Sequence, residues 1–178
     1  MQMPLFWPGT VRALVLGMSG INRFTQFRAW QTCVAYKKEV YAICKAEPLA
    51  TDFKKRRQLE KSVAGPPGHI AEGYGRFNPP DFANFCVFAR SSLMESQNHL
   101  IDLVDAEYIT ETKRQELNAL AEEALKEVTR IASRQERLSK RKRADQKPNA
   151  PKSERRTSNS EPREPEPEHE QRTQNPEE

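Results

Sequence analysis

The sequence has no cysteine pair at metal-binding spacing, no long apolar run and no familiar catalytic signature, and each absence excludes a class of protein. Cys33, Cys44 and Cys86 are an odd count without any Cys-x-x-Cys spacing, which argues against a disulfide framework and a structural zinc site. A phosphate-binding loop, a dinucleotide-binding glycine fingerprint and a Gly-x-Ser-x-Gly elbow are also missing. We therefore expect no enzymatic activity and no cofactor, and the cysteines favour the reducing cytoplasm.

No stretch approaches the roughly 20 apolar residues that a membrane-spanning helix requires. The apolar run after Arg12 covers only residues 13–18, and Pro4 and Pro8 precede it. An export signal needs about 7–15 apolar residues and a small-residue cleavage site. We interpret residues 1–23 as a loose N-terminal extension, with a weak export signal as the alternative, and we expect no membrane partner.

Apolar residues are scarce overall, and the shortage is concentrated at the C-terminus. The hydrophobic fraction is 36%, below the roughly 45–50% of an ordinary globular domain. From residue 141 to the end, Ala144 and Ala150 are the only residues of that class. Such a segment cannot offset its chain entropy by burial. We predict a disordered charged tail over residues 141–178, which either solubilises the chain or folds back onto basic residues, and a folded region over residues 24–140.

That folded region carries four segments with the apolar spacing of amphipathic helices. They run from about Thr25 to Ala46, from Asp52 to Gly73, from Asn78 to Asp105, and from Thr110 to Leu138. Short connections favour antiparallel neighbours. The sequence therefore predicts an all-α fold, an antiparallel up-down-up-down four-helix bundle.

Particular residues sharpen three of these segments. Gly65-Pro66-Pro67-Gly68 predicts a kink or break in the second helix, because proline removes a backbone donor and clashes with the preceding turn. In the third helix, the small residues Ala89, Ser92 and Ser96 predict a close approach by a neighbouring helix. The fourth helix has a heptad seam, formed by Leu117, Ala121, Ala124, Val128, Ile131, Gln135 and Leu138.

The most distinctive stretch is Ile70-Ala71-Glu72-Gly73-Tyr74-Gly75-Arg76. It resembles the N-I-A-E-G-x-G-R signature of a four-helix-bundle family encoded in intervening sequences of bacterial 23S rRNA genes. Where that family has S-I-P-S-N before the signature, this chain has residues 65–69. Other stretches resemble the family in the same order: Phe27 with Trp30-Gln31, Asp81-Phe82 with Phe85, Ser92-Leu93 with Glu95, and Tyr108-Ile109.

The resemblance covers about residues 24–138 and implies more than a fold. It implies a ring-shaped homopentamer. It also implies kinship with the accessory variability determinant proteins of diversity-generating retroelements, which bind a reverse transcriptase and nucleic acid through a basic surface. The expected partners are therefore a second copy of the chain, RNA or DNA, and a reverse transcriptase.

Basic residues form two clusters that are candidates for binding nucleic-acid phosphates. Cations oppose the partial positive charge at the start of a helix, so a basic first turn in the second helix favours a partner. The alternative for each cluster is a solvated surface. With Arg76 from the signature, the candidate nucleic-acid-binding residues are Lys54, Lys55, Arg56, Arg57, Lys61, Arg76, Arg134, Arg137, Lys140, Arg141, Lys142 and Arg143.

Two other readings stay open. The heptad seam and the small-residue face of the third helix suit a protein–protein assembly module with no nucleic-acid role. His69 with Glu72, and Glu95 with His99, have the spacing of metal ligands on a helix. A di-metal bundle needs two Glu-x-x-His pairs and two further acids, and that set is incomplete, so we expect no metal.

Overall fold

The structure is a computed structural model that describes residues 20–76 and 78–145. Most of the predicted N-terminal extension and residues 146–178 of the predicted tail lie outside the described residues. A short 3-10 turn at Phe24–Gln26 precedes four helices. These are α1 (Arg28–Cys44), α2 (Phe53–Gly75), α3 (Pro79–Asp105) and α4 (Glu111–Asp145). The described residues contain no strand, and the predicted all-α class is confirmed.

Each helix packs against two neighbours: α1 and α3 both lie between α2 and α4. All four helices turn one apolar face inward. The fully buried side chains include Tyr36, Val40, Leu59, Ile70, Phe82, Leu93, Leu100 and Leu117. The predicted seam of α4 lies in this core, with six of its seven residues buried and Leu138 partly exposed. Tyr36 and Ser96 join α1 to α3 across the centre, with 3.0 Å between their hydroxyl oxygens.

The predicted break in α2 is wrong, because the helix runs without interruption through Pro66 and Pro67. The φ angle that proline imposes is compatible with a helix, and its cost comes from the lost hydrogen bond and the clash with the preceding turn. Gly65 has no Cβ, which relieves the restriction that proline places on the residue before it. Both proline rings are buried, and burial of their apolar surface is favourable.

The end of α2 also differs from the prediction. The helix ends at Gly75 and not at Gly73. A Cβ on Gly73 would lie 2.6 Å from a ring carbon of Phe82 and 2.7 Å from the Cβ of Phe85. Gly73 is therefore a point of close packing between α2 and α3, and it does not terminate the helix.

The starts of three helices follow the sequence signals. Asp52 accepts a hydrogen bond from the backbone N–H of Lys55 at 3.0 Å and caps α2. Asn78 has the extended backbone of an N-cap, and Pro79 is the first residue of α3. Thr110 Oγ1 accepts a bond from the N–H of Lys113 at 3.1 Å. At its other end α4 continues to Asp145, five residues past the boundary predicted at residue 140.

Candidate nucleic-acid interface

The predicted basic residues divide into two groups at opposite ends of α3. Lys55 lies beside His99 and Asp102, near the end of that helix. Lys140 and Arg143 lie beside Pro80, in its first turn. Since α3 has 27 residues and a helix rises about 1.5 Å per residue, it is about 40 Å long. We call Lys54, Lys55, Arg56, Arg57 and Lys61 the α2 cluster, and Arg134, Arg137, Lys140, Arg141, Lys142 and Arg143 the α4 cluster.

Asp52 and Tyr108 lie next to the α2 cluster and are hydrogen-bonded to each other. Asp52 Oδ2 accepts a hydrogen bond from the Tyr108 hydroxyl at 2.8 Å, while its Oδ1 caps the helix. The backbone N–H of Lys55, and then the Tyr108 hydroxyl, lower the pKa of Asp52. The hydrogen bond to Asp52 raises the pKa of Tyr108. The ionised carboxylate at the helix start offsets part of the repulsion between the helix dipole and the nearby cations.

Two members of the α2 cluster are engaged by the protein itself. The Nζ of Lys55 lies 5.7 Å from the centre of the Tyr108 ring. Arg56 donates from Nη1 to the carbonyl of Ala50 at 2.7 Å, and its Nε lies 3.9 Å from Glu60. Arg56 is half-buried, so its guanidinium holds the turn before α2 and is less accessible to a ligand.

The other three members face outward. Lys54, Arg57 and Lys61 are exposed, and their spacing of three and four residues puts them on one side of α2. Among the residues that the structure describes, no carboxylate forms an ion pair with any of them. Phe53, which is 59% exposed, lies 5.7 Å beneath the Arg57 guanidinium. This surface combines unneutralised positive charge with an accessible aromatic ring.

The α4 cluster has two sides. Arg134, Arg137 and Arg141 are exposed and share one face of α4. Lys140 and Arg143 instead line a shallow groove against Pro80 and Asn84 of α3, together with Glu136 and Ser139. Cations near the end of a helix are favoured by its dipole, so the fold alone can account for this cluster more easily than for the α2 cluster.

Arg76 stands apart from both clusters, beside a group of aromatic rings. It pairs with Glu72 at 2.7 Å, and its guanidinium lies 5.2 Å from the centre of the Phe85 ring. The centre of the Phe88 ring lies 5.8 Å from that of Phe85 and 5.9 Å from that of His69. We call His69, Phe85 and Phe88 the aromatic patch.

The sequence pattern conceals this patch, because Phe85 follows Phe82 by three residues and so has the spacing of a core position on a helix. The buried face of α3 includes Phe82, Cys86, Ala89 and Leu93, and Phe85 at its edge is half-exposed. Phe88 is 52% exposed. Its spacing of two residues after Cys86 does not fit the core pattern, and that was the available signal.

The cysteines and the His–Glu pairs are the remaining residues with reactive or metal-binding side chains. Burial raises the pKa of Cys33 to about 12, of Cys44 to about 11 and of Cys86 to about 12, so these thiols stay protonated at neutral pH. His99 lies 3.8 Å from Glu95 and 3.6 Å from Asp102. Within residues 20–76 and 78–145, no group of three or more potential ligands could hold a metal ion. In the same part of the chain, no helix is both long and apolar enough to span a membrane.

The comparisons with known proteins agree with the fold and the signature. No curated protein matches the chain. The family model described as "23S rRNA-intervening sequence protein" matches residues 25–130, which include the α2 cluster and the aromatic patch but not the α4 cluster. Since this match covers more than half of the chain and most of the four-helix bundle, the chain belongs to the 23S rRNA-intervening sequence protein family.

Proposed function

We propose that the chain is a non-enzymatic, oligomeric helical scaffold that binds nucleic acid through its basic clusters. The proposed ligand is RNA or a ribonucleoprotein. The family resemblance suggests a reverse transcriptase as the protein partner. One observation supports the proposal most: Lys54, Arg57 and Lys61 face outward without carboxylate partners among the described residues. The family name refers to 23S rRNA, which is compatible with an RNA-related role.

Electrostatics explains why a polyanion suits this surface. Each exposed cation in the first turn of a helix opposes the dipole at a cost of a few tenths of a kcal/mol. Phosphates placed over Lys54 would remove that repulsion, since Lys54 is the only one of the three in the first turn. Phosphates over all three cations, Lys54, Arg57 and Lys61, would release counterions from the nucleic acid. The α4 cluster lies toward the other end of α3, a helix about 40 Å long. A ligand that contacts both clusters must extend along the bundle or join two copies, which adds multivalency.

A salt series tests the proposal. The triple variant Lys54→Ala/Arg57→Ala/Lys61→Ala should weaken binding to a structured RNA and reduce the slope of log affinity against log salt by about 2–3. The control removes the same charge elsewhere, with Lys38→Ala/Lys45→Ala/Lys126→Ala at exposed positions outside both clusters. Absence of binding at low salt, or an affinity that does not respond to salt, contradicts the proposal.

A second candidate is a protein–protein assembly module with no nucleic-acid role. The features that suggested this function in the sequence pack within the bundle and are not available to a partner. The α4 seam and two of the small residues of α3, Ala89 and Ser96, are buried in the core. The third, Ser92, faces Gly65 of α2. A different feature of α3 favours assembly, an exposed apolar stripe formed by Val87, Met94 and Ile101.

This stripe has the geometry of a helix seam. Its residues recur every seven positions, as in coiled coils, and are 49%, 51% and 46% exposed. Arg90 lies on the α4 side of the stripe, and Asp102 lies on the α2 side. Two copies that meet along α3 can therefore place a cation opposite a carboxylate. We propose a second copy of the chain as the occupant of this stripe.

The absolute mass in solution tests self-association. Light scattering should give a multiple of the monomer mass, and Met94→Glu/Ile101→Glu should reduce it. Ala119→Glu, at an exposed position of α4, is the control that adds a charge away from the stripe. A monomeric wild type contradicts self-association. An oligomer that is insensitive to the double variant contradicts the stripe as its interface.

A further inference from the structure

We propose that the aromatic patch stacks an unpaired nucleobase, and that the phosphates of the same single strand lie on Lys54, Arg57 and Lys61. This inference rests on the proposed nucleic-acid function and specifies its ligand. The strand follows the outer surface of α2 and α3, from the start of α2 toward its end. A duplex does not satisfy the site, because its bases are already stacked and paired.

The patch has the accessible ring surface that stacking requires. The Phe88 and His69 ring centres are 5.9 Å apart with planes inclined by 56°, and Phe85 meets Phe88 edge to face at 84°. Phe85 is therefore a support against which Phe88 is held, while Phe88 itself is 52% exposed. Aromatic side chains on which bases stack are a common means of binding single strands without sequence preference.

A single exposed phenylalanine would mean little, because scattered apolar residues are normal on protein surfaces. Here three rings adjoin one another, and Arg76 lies 5.2 Å from the Phe85 ring centre. A guanidinium beside aromatic rings offers a second planar surface on which a base can stack.

The surface between the cations and the rings is open. Lys61 and His69 are eight residues apart, about 12 Å along α2. A nucleic-acid strand rises about 3.4 Å per stacked nucleotide, so this distance corresponds to about three or four nucleotides. Gly68 lies in between, and a Cβ there would meet no atom within 4 Å, whereas a Cβ on Gly65 would meet Ser92 Oγ of α3 at 3.1 Å. A strand can therefore lie close to the α2 backbone there.

Three carboxylates on this surface shape the expectation. Asp102 is exposed on the α2 side of α3, beside Lys55 and 3.6 Å from His99. Glu72 is paired with Arg76, so its charge is already balanced. Glu95 is exposed on α3, 3.8 Å from His99, and it opposes approaching phosphates. Glu95→Gln should therefore tighten binding slightly, whatever the sequence of the strand.

The test uses the full chain and a fluorescein-labelled uridine 12-mer, with the same strand paired to an adenosine 12-mer as the duplex. Phe88→Ala should weaken single-strand binding by about 5- to 150-fold, leave the salt slope unchanged and leave duplex binding unchanged. Phe88→Tyr should restore the affinity. Tyr41→Ala is the matched control, since Tyr41 is a half-buried ring on α1 with Lys37 5.9 Å from its centre.

The outcomes separate this inference from the function on which it rests. If the wild type binds neither form in a salt-dependent way, the proposed function fails. If it binds but Phe88→Ala matches the wild type, or loses single-strand and duplex binding equally, only the stacking site fails. A change in solution mass without a change in affinity would show that the patch contacts protein, which also overturns stacking. The same measurement with deoxyuridine strands compares DNA with RNA. Stacking alone predicts that Phe88→Ala weakens the binding of both by similar factors.

Discussion

The contact between α2 and α3 is closed, whereas the contact between α1 and α4 leaves a groove. Gly73 brings α2 against Phe82 and Phe85 with no space for a Cβ. Between α1 and α4, Trp30, Val34 and Leu120 line an open groove of about 540 Å³. The smallest side chain at a crossing sets how near two helices approach. The two contacts should therefore respond in opposite ways to added volume.

Gly73→Ala should have the largest effect on stability. Its new methyl group would meet the Phe85 Cβ at 2.7 Å and a Phe82 ring carbon at 2.6 Å, and a Cβ cannot rotate away. Overpacking costs about 1–3 kcal/mol, and the conflict here lies at the upper end. Alanine recovers about 1 kcal/mol over glycine in a helix, so we expect a net loss of about 2 kcal/mol in the free energy of unfolding, measured with urea.

Gly68→Ala is the matched control for that prediction, on the same helix. A Cβ there would meet nothing within 4 Å, so only the helix propensity of alanine acts. The variant should gain up to about 1 kcal/mol. Equal effects of the two substitutions would contradict the close packing at Gly73.

Removing the Tyr36 hydroxyl should have the next largest effect, because it joins α1 to α3 between the two contacts. Its oxygen lies 3.0 Å from Ser96 Oγ, and Ser96 donates to the Leu93 carbonyl at 2.6 Å. Tyr36→Phe removes one buried hydrogen bond at a cost of about 1 kcal/mol. Ser96→Ala should cost more, because it leaves a buried tyrosine hydroxyl unsatisfied. The two variants and their combination form a double-mutant cycle that urea denaturation can measure. Additive losses from Tyr36→Phe and Ser96→Ala would contradict the hydrogen bond.

The helices were predictable from the sequence because their periodicity is visible along the chain. The α4 seam, from Leu117 to Gln135, is buried as its spacing predicts. The behaviour of Pro66 and Gly73 was not predictable, because it depends on a second helix. Local preference marks Pro66 as a breaker and Gly73 as a terminator, while packing against neighbouring helices buries both inside one continuous helix.

The candidate site shows the same limit. Four adjacent cations read as one cluster, yet successive helical residues point in different directions. Lys55 therefore reaches Tyr108 and Arg56 reaches Ala50, while Lys54 and Arg57 face outward. Helix geometry could have separated the outward pair. The contacts of Lys55 and Arg56 needed the positions of the neighbouring loops.

Asp52 links the start of α2 to the loop after α3, and it should make the free energy of unfolding depend on pH. Hydrogen bonds from Lys55 and Tyr108 lower its pKa from 3.8. A lowered folded-state pKa adds stability that is complete above the unfolded value and is lost as pH falls through the folded value. The free energy of unfolding of the wild type should therefore exceed that of Asp52→Asn at pH 7. The difference between the two should shrink below about pH 4. Tyr108→Phe should show a smaller difference of the same sign, and a difference that grows on acidification would contradict the bonds.

Ala35→Leu should have the smallest effect, and it tests the open side of the comparison. Ala35 is exposed at the edge of the groove beside Trp30 and Val34. A leucine there adds three carbons, whereas Gly73→Ala adds one, yet the groove has space for them and no helix contact needs to shift. Surface substitutions away from special features usually change stability by less than about 0.5 kcal/mol, and added apolar contact with Trp30 favours a small gain. Urea denaturation should therefore give a midpoint equal to or slightly above that of the wild type. A loss comparable to that of Gly73→Ala would mean that α1 and α4 also pack without space, and the contrast between the two contacts would fail.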